Sequence, residues 1–298
     1  MVHFQHTTGG DVDSRAPRKV LSCPSVMRDS SCIDFLQWAL PQLGYRWAGF
    51  RRVRRQVCKR LARRWAELEI DSQGAYRRYL ETRPDEWAVL DGFCRITVSR
   101  FYRDREVWRV LGEEVLPRLA AKVSTTSHAD LRVWSAGCGA GEEPYTLSML
   151  CRESRAPSLR EAELRVVATD LDSHQLRRAR RAIFPPGSMH DLPTNLRSVA
   201  FEEIDNGNLR LRPAYRRGID FRCQDLRREM PRGPFHVILC RNLAFTYFAE
   251  PWQRQILAQL LDRLCERGAL VLGTHERLPK GVYPLTSWST CKAVVEKT

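Results

Sequence analysis

Leu131-Arg132-Val133-Trp134-Ser135-Ala136-Gly137-Cys138-Gly139-Ala140-Gly141-Glu142-Glu143-Pro144-Tyr145 decides the fold. An apolar run of strand character meets a turn with glycine at alternate positions, and Pro144 then opens an amphipathic segment through Leu147, Leu150 and Cys151. The order is strand, glycine-rich turn, helix. Glycines let the backbone pass close to a bound group, because no Cβ intervenes and positive φ is cheap. Pro144 suits the first helical position, where a missing N–H costs nothing, and the free N–H groups of that helix end face the turn. By itself the triplet fits a packing turn as well as a ligand floor.

Leu164-Arg165-Val166-Val167-Ala168-Thr169-Asp170 is a second strand ending in an acid, with a helix following from Asp172 or Ser173. An acid at that strand end is placed to accept hydrogen bonds from a ribose, and a second acid can cap the next helix. Asp170 and Asp172 allow both roles to be filled. Dinucleotide binders show G-x-G-x-x-G with the acid about 20 residues on. Here the pattern is G-x-G-x-G followed by two glutamates and a longer gap, which indicates a different cofactor.

With Val133-Trp134-Ser135-Ala136, Gly141-Glu142-Glu143-Pro144-Tyr145, Ala168-Thr169-Asp170-Leu171-Asp172, Cys240-Arg241-Asn242 and Gly273-Thr274-His275-Glu276 in this order, the chain resembles the CheR-type chemotaxis-receptor methyltransferases. The resemblance runs from about Phe35 onward. It implies a cytoplasmic, S-adenosylmethionine-dependent protein-glutamate O-methyltransferase. Its fold would be α/β, a Rossmann-like class I methyltransferase sheet with an N-terminal helical domain and a small inserted antiparallel hairpin. Carried over by position, Thr97, Ser99, Arg103, Gly137, Gly139, Glu142, Asp170, Arg241 and Asn242 would bind the cofactor, with Arg103 pairing the methionyl carboxylate and Asp225 and Leu226 beside the adenine. Arg100, Arg241 and Tyr247 would hold the acceptor carboxylate. The chain departs from the family at Thr97 and Asp225, where Asn is common, at Ser99, where Thr is usual, and by one extra residue before Tyr247.

The chemistry so implied is modest in its demands. A glutamate side chain is already an anion near neutral pH. The site therefore needs no strong base and no covalent nucleophile, only alignment of the reacting atoms.

At 298 residues with 43% hydrophobic content, the chain can hold one large or two modest cores. It contains no apolar run long enough to span a bilayer. Residues 1–30 are polar and broken by Gly9-Gly10, Pro17 and Pro24, and read as a loose tail. The 10 cysteines form no C-x-x-C pair, and several lie in apolar runs, among them Cys58, Cys151, Cys240 and Cys265. They read as small core residues without metal or disulfide roles.

Residues 31–105 form the expected basic helical domain, and 106–298 the methyltransferase domain. Trp47, Phe50, Val53, Val57, Leu61, Trp65 and Leu68 recur at steps of three and four, the apolar stripe of one long helix. The opposite face carries Arg51, Arg52, Arg54, Arg55, Lys59, Arg60, Arg63 and Arg64, in a chain of net charge +14. A charge run is usually a solvated face. The resemblance implies instead that the helix over 47–68 docks an acidic protein substrate, the helices of a chemoreceptor; nucleic acid would satisfy the same electrostatics.

Between 188 and 222 the strand–helix rhythm stops, and Asn206-Gly207 predicts a tight hairpin, an inserted β-subdomain. In the family this insertion binds a tethering peptide in some members; a structural flap is the plainer reading. Phe235 to Cys240 is an almost unbroken apolar strand delivering Arg241 and Asn242 to its carboxyl end, where open α/β sheets bind ligands. Glu250 opens a helix through Leu264 that Gly268 ends, with the strand Ala269–Gly273 after it. Two rivals remain. A nucleic-acid methyltransferase fits the charge, but no D/N-P-P-Y/F run or Pro-Cys dipeptide follows the Cys240 strand. A non-catalytic binding module would have no need to keep Arg103, Glu142 and Asp170 together.

Overall fold

A computed structural model of the protein describes residues 29–97, 99–123 and 130–298. The tail expected over 1–30, apart from its last two residues, and the polar loop at 124–128 lie outside the described residues. Five helices lead: α1 (Asp29–Gln42), α2 (Trp47–Phe50), α3 (Arg54–Glu67), α4 (Gln73–Thr82) and α5 (Pro84–Phe93). An extended junction follows, and then α6 (Arg105–Val110), one π-helical turn (Leu111–Val115) and α7 (Leu116–Val123) run on without a break.

The sheet is built from β1 (Asp130–Ala136), β2 (Glu163–Asp170), β6 (Ile219–Cys223), β7 (Phe235–Cys240), β8 (Leu264–Val271), β9 (Leu285–Ser287) and β10 (Val294–Lys297). Its order is β6-β2-β1-β7-β8-β10-β9. Parallel pairing holds from β6 to β8, and β10 runs antiparallel to both of its neighbours. The helices α8 (Glu142–Arg152), α9 (Pro157–Glu161), α10 (Ser173–Arg181), α12 (Ala244–Tyr247) and α13 (Glu250–Arg263) connect the strands.

Alternation along the central strands sends side chains to two cores. Val133, Val237, Leu239, Ala269 and Val271 join α6 and α7 on one face. Trp134, Ile238, Cys240 and Leu270 join the N-terminal helices and α13 on the other. The N-terminal helices therefore share a core with the sheet and do not enclose a separate one.

The stripe expected on one long helix is divided. Gly49 lies so close to α12 that a Cβ would stand 2.2 Å from the Thr246 carbonyl oxygen, and the Arg46 N–H donates to Tyr247 O at 2.8 Å. Docking on α12 fixes α2, and the chain must turn over 51–53 before α3 can begin. Phe50, Val57, Leu61 and Trp65 are all buried despite the break. The basic face is divided too. Arg60 donates to the carbonyls of Phe93 and Arg95, and Arg64 pairs with buried Glu86 at 2.8 Å, which leaves Arg51, Arg52, Arg55, Lys59 and Arg63 exposed.

Three further expectations are corrected. Cys32 and Cys58 form a disulfide between α1 and α3, with Cα atoms 6.0 Å apart; only the packing of the two helices brings together residues 26 apart in sequence. Residues 219–222, expected within the insertion, pair with β2 as the edge strand of the main sheet. The α13 helix stops at Arg263, not at Gly268, because Leu264 already pairs with Phe235.

The insertion is a three-stranded antiparallel sheet ordered β3 (Ile183–Phe184), β5 (Leu209–Leu211), β4 (Phe201–Glu203), with α11 (Thr194–Ala200) beside it. Asn206 and Gly207 turn the β4–β5 hairpin at φ of 62° and 70°. Phe101 from the junction packs edge-on against Phe184 and Phe201, with centroids 4.7 and 5.2 Å away.

Arg227 clamps the N-terminal helices to the sheet. It pairs with Asp91 of α5 at 2.9 Å and with Asp225 at 3.0 Å, and Tyr45 donates to Asp91 at 3.0 Å. Burial works against ionisation of Asp91, but the hydrogen bonds and charge of Arg227, with Tyr45 and Arg95, outweigh it and hold the carboxyl below its ordinary value. Asp91→Ala removes one of the two carboxylates of Arg227 and the acceptor of the Tyr45 hydroxyl, and should cost about 1.5–3 kcal/mol in chemical denaturation. Because its folded pKa is depressed, the Asp91 contribution is full above an unfolded value of about 3.9 and is lost as pH falls through the lower folded value. The difference between wild type and Asp91→Ala should therefore shrink only in strong acid.

Candidate active site

A cavity of about 290 Å³ opens at the carboxyl ends of β1, β2 and β7, roofed by the junction after α5. The glycine turn forms its floor. Gly137, Gly139 and Gly141 all have positive φ, and at Gly137 a Cβ would stand 2.6 Å from Leu243. The N–H groups of Gly137 and Cys138 donate to Thr169 O, and that of Gly139 donates to Asp170 Oδ2 at 2.8 Å. Asp170 Oδ1 accepts from the Asp172 N–H, and Asp172 caps α10 through the N–H groups of His174 and Gln175. The two acids thus divide the work. An ionised carboxylate offers about four acceptor sites, so Asp170 splints the turn and keeps capacity for a ligand hydroxyl. Burial pushes its carboxyl up against the pull of these backbone donors.

The α8 helix begins at Glu142, so Pro144 is its third residue and not its first; it still falls among the N–H groups without helical partners. Of the two glutamates, Glu143 lines the cavity. Glu142 was expected there, but it is 2% exposed beneath the lining and hydrogen-bonds with Ser99. Burial raises the carboxyls of both.

Arg241 has a different place from the one expected. Its side chain has no exposed surface, and it donates to Glu143 at 2.7 Å, to Asp104 at 2.8 Å and to the Arg103 carbonyl at 3.0 Å, over the ring of Trp108. A guanidinium so occupied cannot also hold an acceptor carboxylate. It organises the junction instead. Tyr102 and Asp104 both have left-handed backbones, at φ of 60° and 64°, conformations that cost about 1–3 kcal/mol each. Between them the Arg103 carbonyl is held by Trp108 as well as Arg241, and the Arg103 guanidinium reaches Asn242 Oδ1 at 3.4 Å.

Thr97, Ser99, Arg100, Arg103, Gly137 and Gly139 line the cavity, as do Asp170, Asp225, Leu226, Arg241, Asn242 and Tyr247. Tyr247 lines the cavity and packs on Phe50 at 5.0 Å. Arg100 stands at the mouth, 43% exposed, with Asp191 of the insertion 3.5 Å away. Asp225 is already committed to Arg227.

Sequence reasoning gave no role to Glu276, the buried carboxylate that holds the far wall. It accepts from the N–H groups of Asn242, Leu243 and Gly273 and from the Thr246 hydroxyl, at 2.7 to 3.1 Å. Its place in the Gly273–Glu276 motif was the available signal. Arg95, Gln224 and Arg227 were missed as well, and nothing in the local sequence marks them.

The cavity fits S-adenosylmethionine in kind. Gln224 Oε1 on the lining and Glu142 Oε2 behind it are buried acceptors with no partner, and Asp170 retains acceptor capacity, so the site calls for a ligand rich in N–H and O–H donors. Arg103 supplies a cation for a carboxylate at the other end.

A parallel sheet of this order with its penultimate strand reversed, a glycine turn after β1 and an acid ending β2, defines a Rossmann-like class I methyltransferase. Residues 97–292 match the family model described as CheR methyltransferase, SAM binding domain. The chain is 35% identical to a chemotaxis protein methyltransferase of Listeria monocytogenes over 193 residues, 64% of this chain and 70% of that one. It is 25% identical to one of Borreliella burgdorferi over 207 residues, 68% and 73% of the two chains. Among solved structures, the amino pentose methyltransferase CalS10 of Micromonospora echinaspora gives a TM-score of 0.29 at 17% identity, over 60% of this chain and 58% of that one, so the assignment rests on the sequence matches. The chain belongs to the CheR methyltransferase family and is an S-adenosylmethionine-dependent methyltransferase.

Asp170→Ala should weaken S-adenosylhomocysteine binding by about 1.5–3 kcal/mol, the worth of a hydrogen bond to a charged group. Titration calorimetry reads this directly, and an unchanged affinity would remove Asp170 from the cofactor site.

Proposed function

We propose that the enzyme forms methyl esters on glutamate side chains of a chemoreceptor-like protein. The observation that carries this reading is the state of the cavity's own carboxylates. Glu143 is bound to Arg241, Asp225 to Arg227, Asp170 to two backbone donors and Asp172 to the first N–H groups of α10, so each acid on the lining that could act as a base is already engaged. Cys94, also on the lining, has its thiol pushed up to about 12 by burial and the charge of Asp91, which removes a thiolate nucleophile. Such a site serves an acceptor that arrives as an anion.

S-adenosylmethionine supplies a methyl group already activated by a cationic sulfur, and its transfer to a carboxylate leaves no proton to remove. The residues of the chain bind and orient. Arg103 and Asn242 would take the methionyl carboxylate, Asp170 the ribose hydroxyls, and Asp225 and Leu226 the adenine, with Thr97 and Ser99 completing the pocket and Glu142 supporting Ser99 from behind it. Arg100 and Tyr247 would hold the acceptor oxygen in line, a matter of proximity and orientation. Labelled methyl transfer into host-cell protein should give a product that releases volatile methanol in mild alkali; alkali-stable label would move the acceptor to nitrogen.

The helices over 31–105 would meet the acidic partner through Arg51, Arg52, Arg55, Lys59 and Arg63, the cations that α3 and the turn before it leave exposed. Rim charges act mainly on encounter rate and salt dependence. Replacing Arg55, Lys59 and Arg63 together with glutamate should raise KM for the protein acceptor, leave kcat unchanged and flatten the salt dependence of kcat/KM. An unchanged KM would place the docking surface elsewhere.

A further inference from the structure

The cavity is lined by several arginines, and their surroundings separate them sharply. Arg241 and Arg227 are each bound to two carboxylates, with side chains 0% and 15% exposed. Arg95 is paired with Asp91, and Arg103 reaches Asn242. Arg95 is also partly open, at 35%, but shares its partner Asp91 with Arg227; Arg100, 43% exposed at the mouth, takes its partner from the insertion, its guanidinium Nε standing 3.5 Å from Asp191 Oδ2. That distance marks an ion pair without close hydrogen-bond geometry.

Asp191 belongs to the insertion, and its main chain is fixed independently of its carboxylate. Arg105 Nε donates to Asp191 O at 3.1 Å, Arg105 Nη2 to His190 O at 3.4 Å, and the Phe101 N–H to Ser188 O at 3.0 Å. The other carboxylate oxygen, Oδ1, lies 3.0 Å from His190 Nδ1. The insertion is thereby riveted to the 100–105 junction, and it presents one carboxylate to the exposed cation of the cavity mouth.

We infer that Asp191 is a placeholder for the acceptor carboxylate. It holds Arg100 at the mouth until a glutamate side chain of the partner exchanges with it. This rests on the carboxyl-methylation reading and makes Asp191 the residue that tunes acceptor affinity, with Arg100 the selecting cation. Exchange makes chemical sense at this position. An exposed ion pair is worth only about 0.2–1 kcal/mol, so an incoming carboxylate can displace it, whereas the buried pairs of Arg241 and Arg227 are too costly to break. A neutral amide in place of the glutamate has no charge to offer Arg100 and loses the competition. The amide leaves the pair intact, so Arg100 selects the carboxylate and Asp191 sets how tightly it is held.

The test uses the full-length enzyme and two synthetic helical peptides with the same acidic flanks, one with a central glutamate and one with glutamine in its place. In Asp191→Asn, which is close in size and leaves the backbone anchors intact, affinity for the glutamate peptide should rise about two- to fivefold, the equivalent of one exposed ion pair. Affinity for the glutamine peptide should not change, and Asp191→Glu should bind both as wild type does. In turnover, KM for the glutamate acceptor should fall with kcat unchanged, a split that a loss of packing would not produce. Equal shifts for both peptides, or a glutamate affinity that is unchanged or weaker, would overturn the assignment. Peptide binding needs no methyl transfer, so its result stands apart from that of the labelling experiment.

Discussion

The guanidinium of Arg241 is the constraint on which the site depends. A fully buried arginine is tolerable only when its charge is matched. Arg241 meets that condition with Glu143 from the first turn of α8, Asp104 from the head of α6 and the carbonyl of Arg103 between them. Two segments far from β7 in sequence, the junction at Arg103 and Asp104 and the start of α8, are thereby fixed to its carboxyl end. The left-handed residues on either side of Arg103 persist because this ion cluster and the Trp108 indole hold the intervening carbonyl from two directions. Removing Arg241 would release that strain and leave two buried acids repelling each other.

A second cluster repeats the logic on the far side of the cavity. Arg227 between Asp91 and Asp225 joins the N-terminal helices to the loop after β6, and its guanidinium lies over the rings of Tyr45 and Phe248. The cavity is thus bounded by two buried cations that shape it without being free to bind. Glu276 completes the frame as the converse case, one buried carboxylate gathering three donors from the segment that carries Asn242 and Thr246 and a fourth from Gly273.

Much of this was legible in the sequence wherever local chemistry decides local structure. The glycine turn, the acid ending β2, the Asn206-Gly207 hairpin and the apolar β7 each follow from backbone freedom or side-chain alternation, and the structure shows each of them. What could not be read depends on tertiary approach. The helix over 47–68 breaks because Gly49 meets α12, some 200 residues away in sequence. Cys32 and Cys58 pair only because α1 and α3 pack together. Arg241 stood beside Asn242 in a recognisable motif, yet its role as an internal counter-ion follows from Glu143 and Asp104, and neither neighbourhood is visible in a linear string.

The division of arginines by burial fits the reaction the site is built for. Transfer of an activated methyl group to an anion gives a general base little to do, so shifted acids have no proton to take. Orientation carries the rate, and it demands rigidity of a few atoms near the methyl group. The structure spends its buried charge on that rigidity: Arg241 and Glu276 fix the two walls, and Asp170 fixes the floor through the Gly139 N–H. At the mouth, Arg100 and Asp191 face each other in partial solvent exposure. A contact that selects an acceptor has to remain exchangeable, and a pair in a screened, polar setting is exchangeable where one in the core is not.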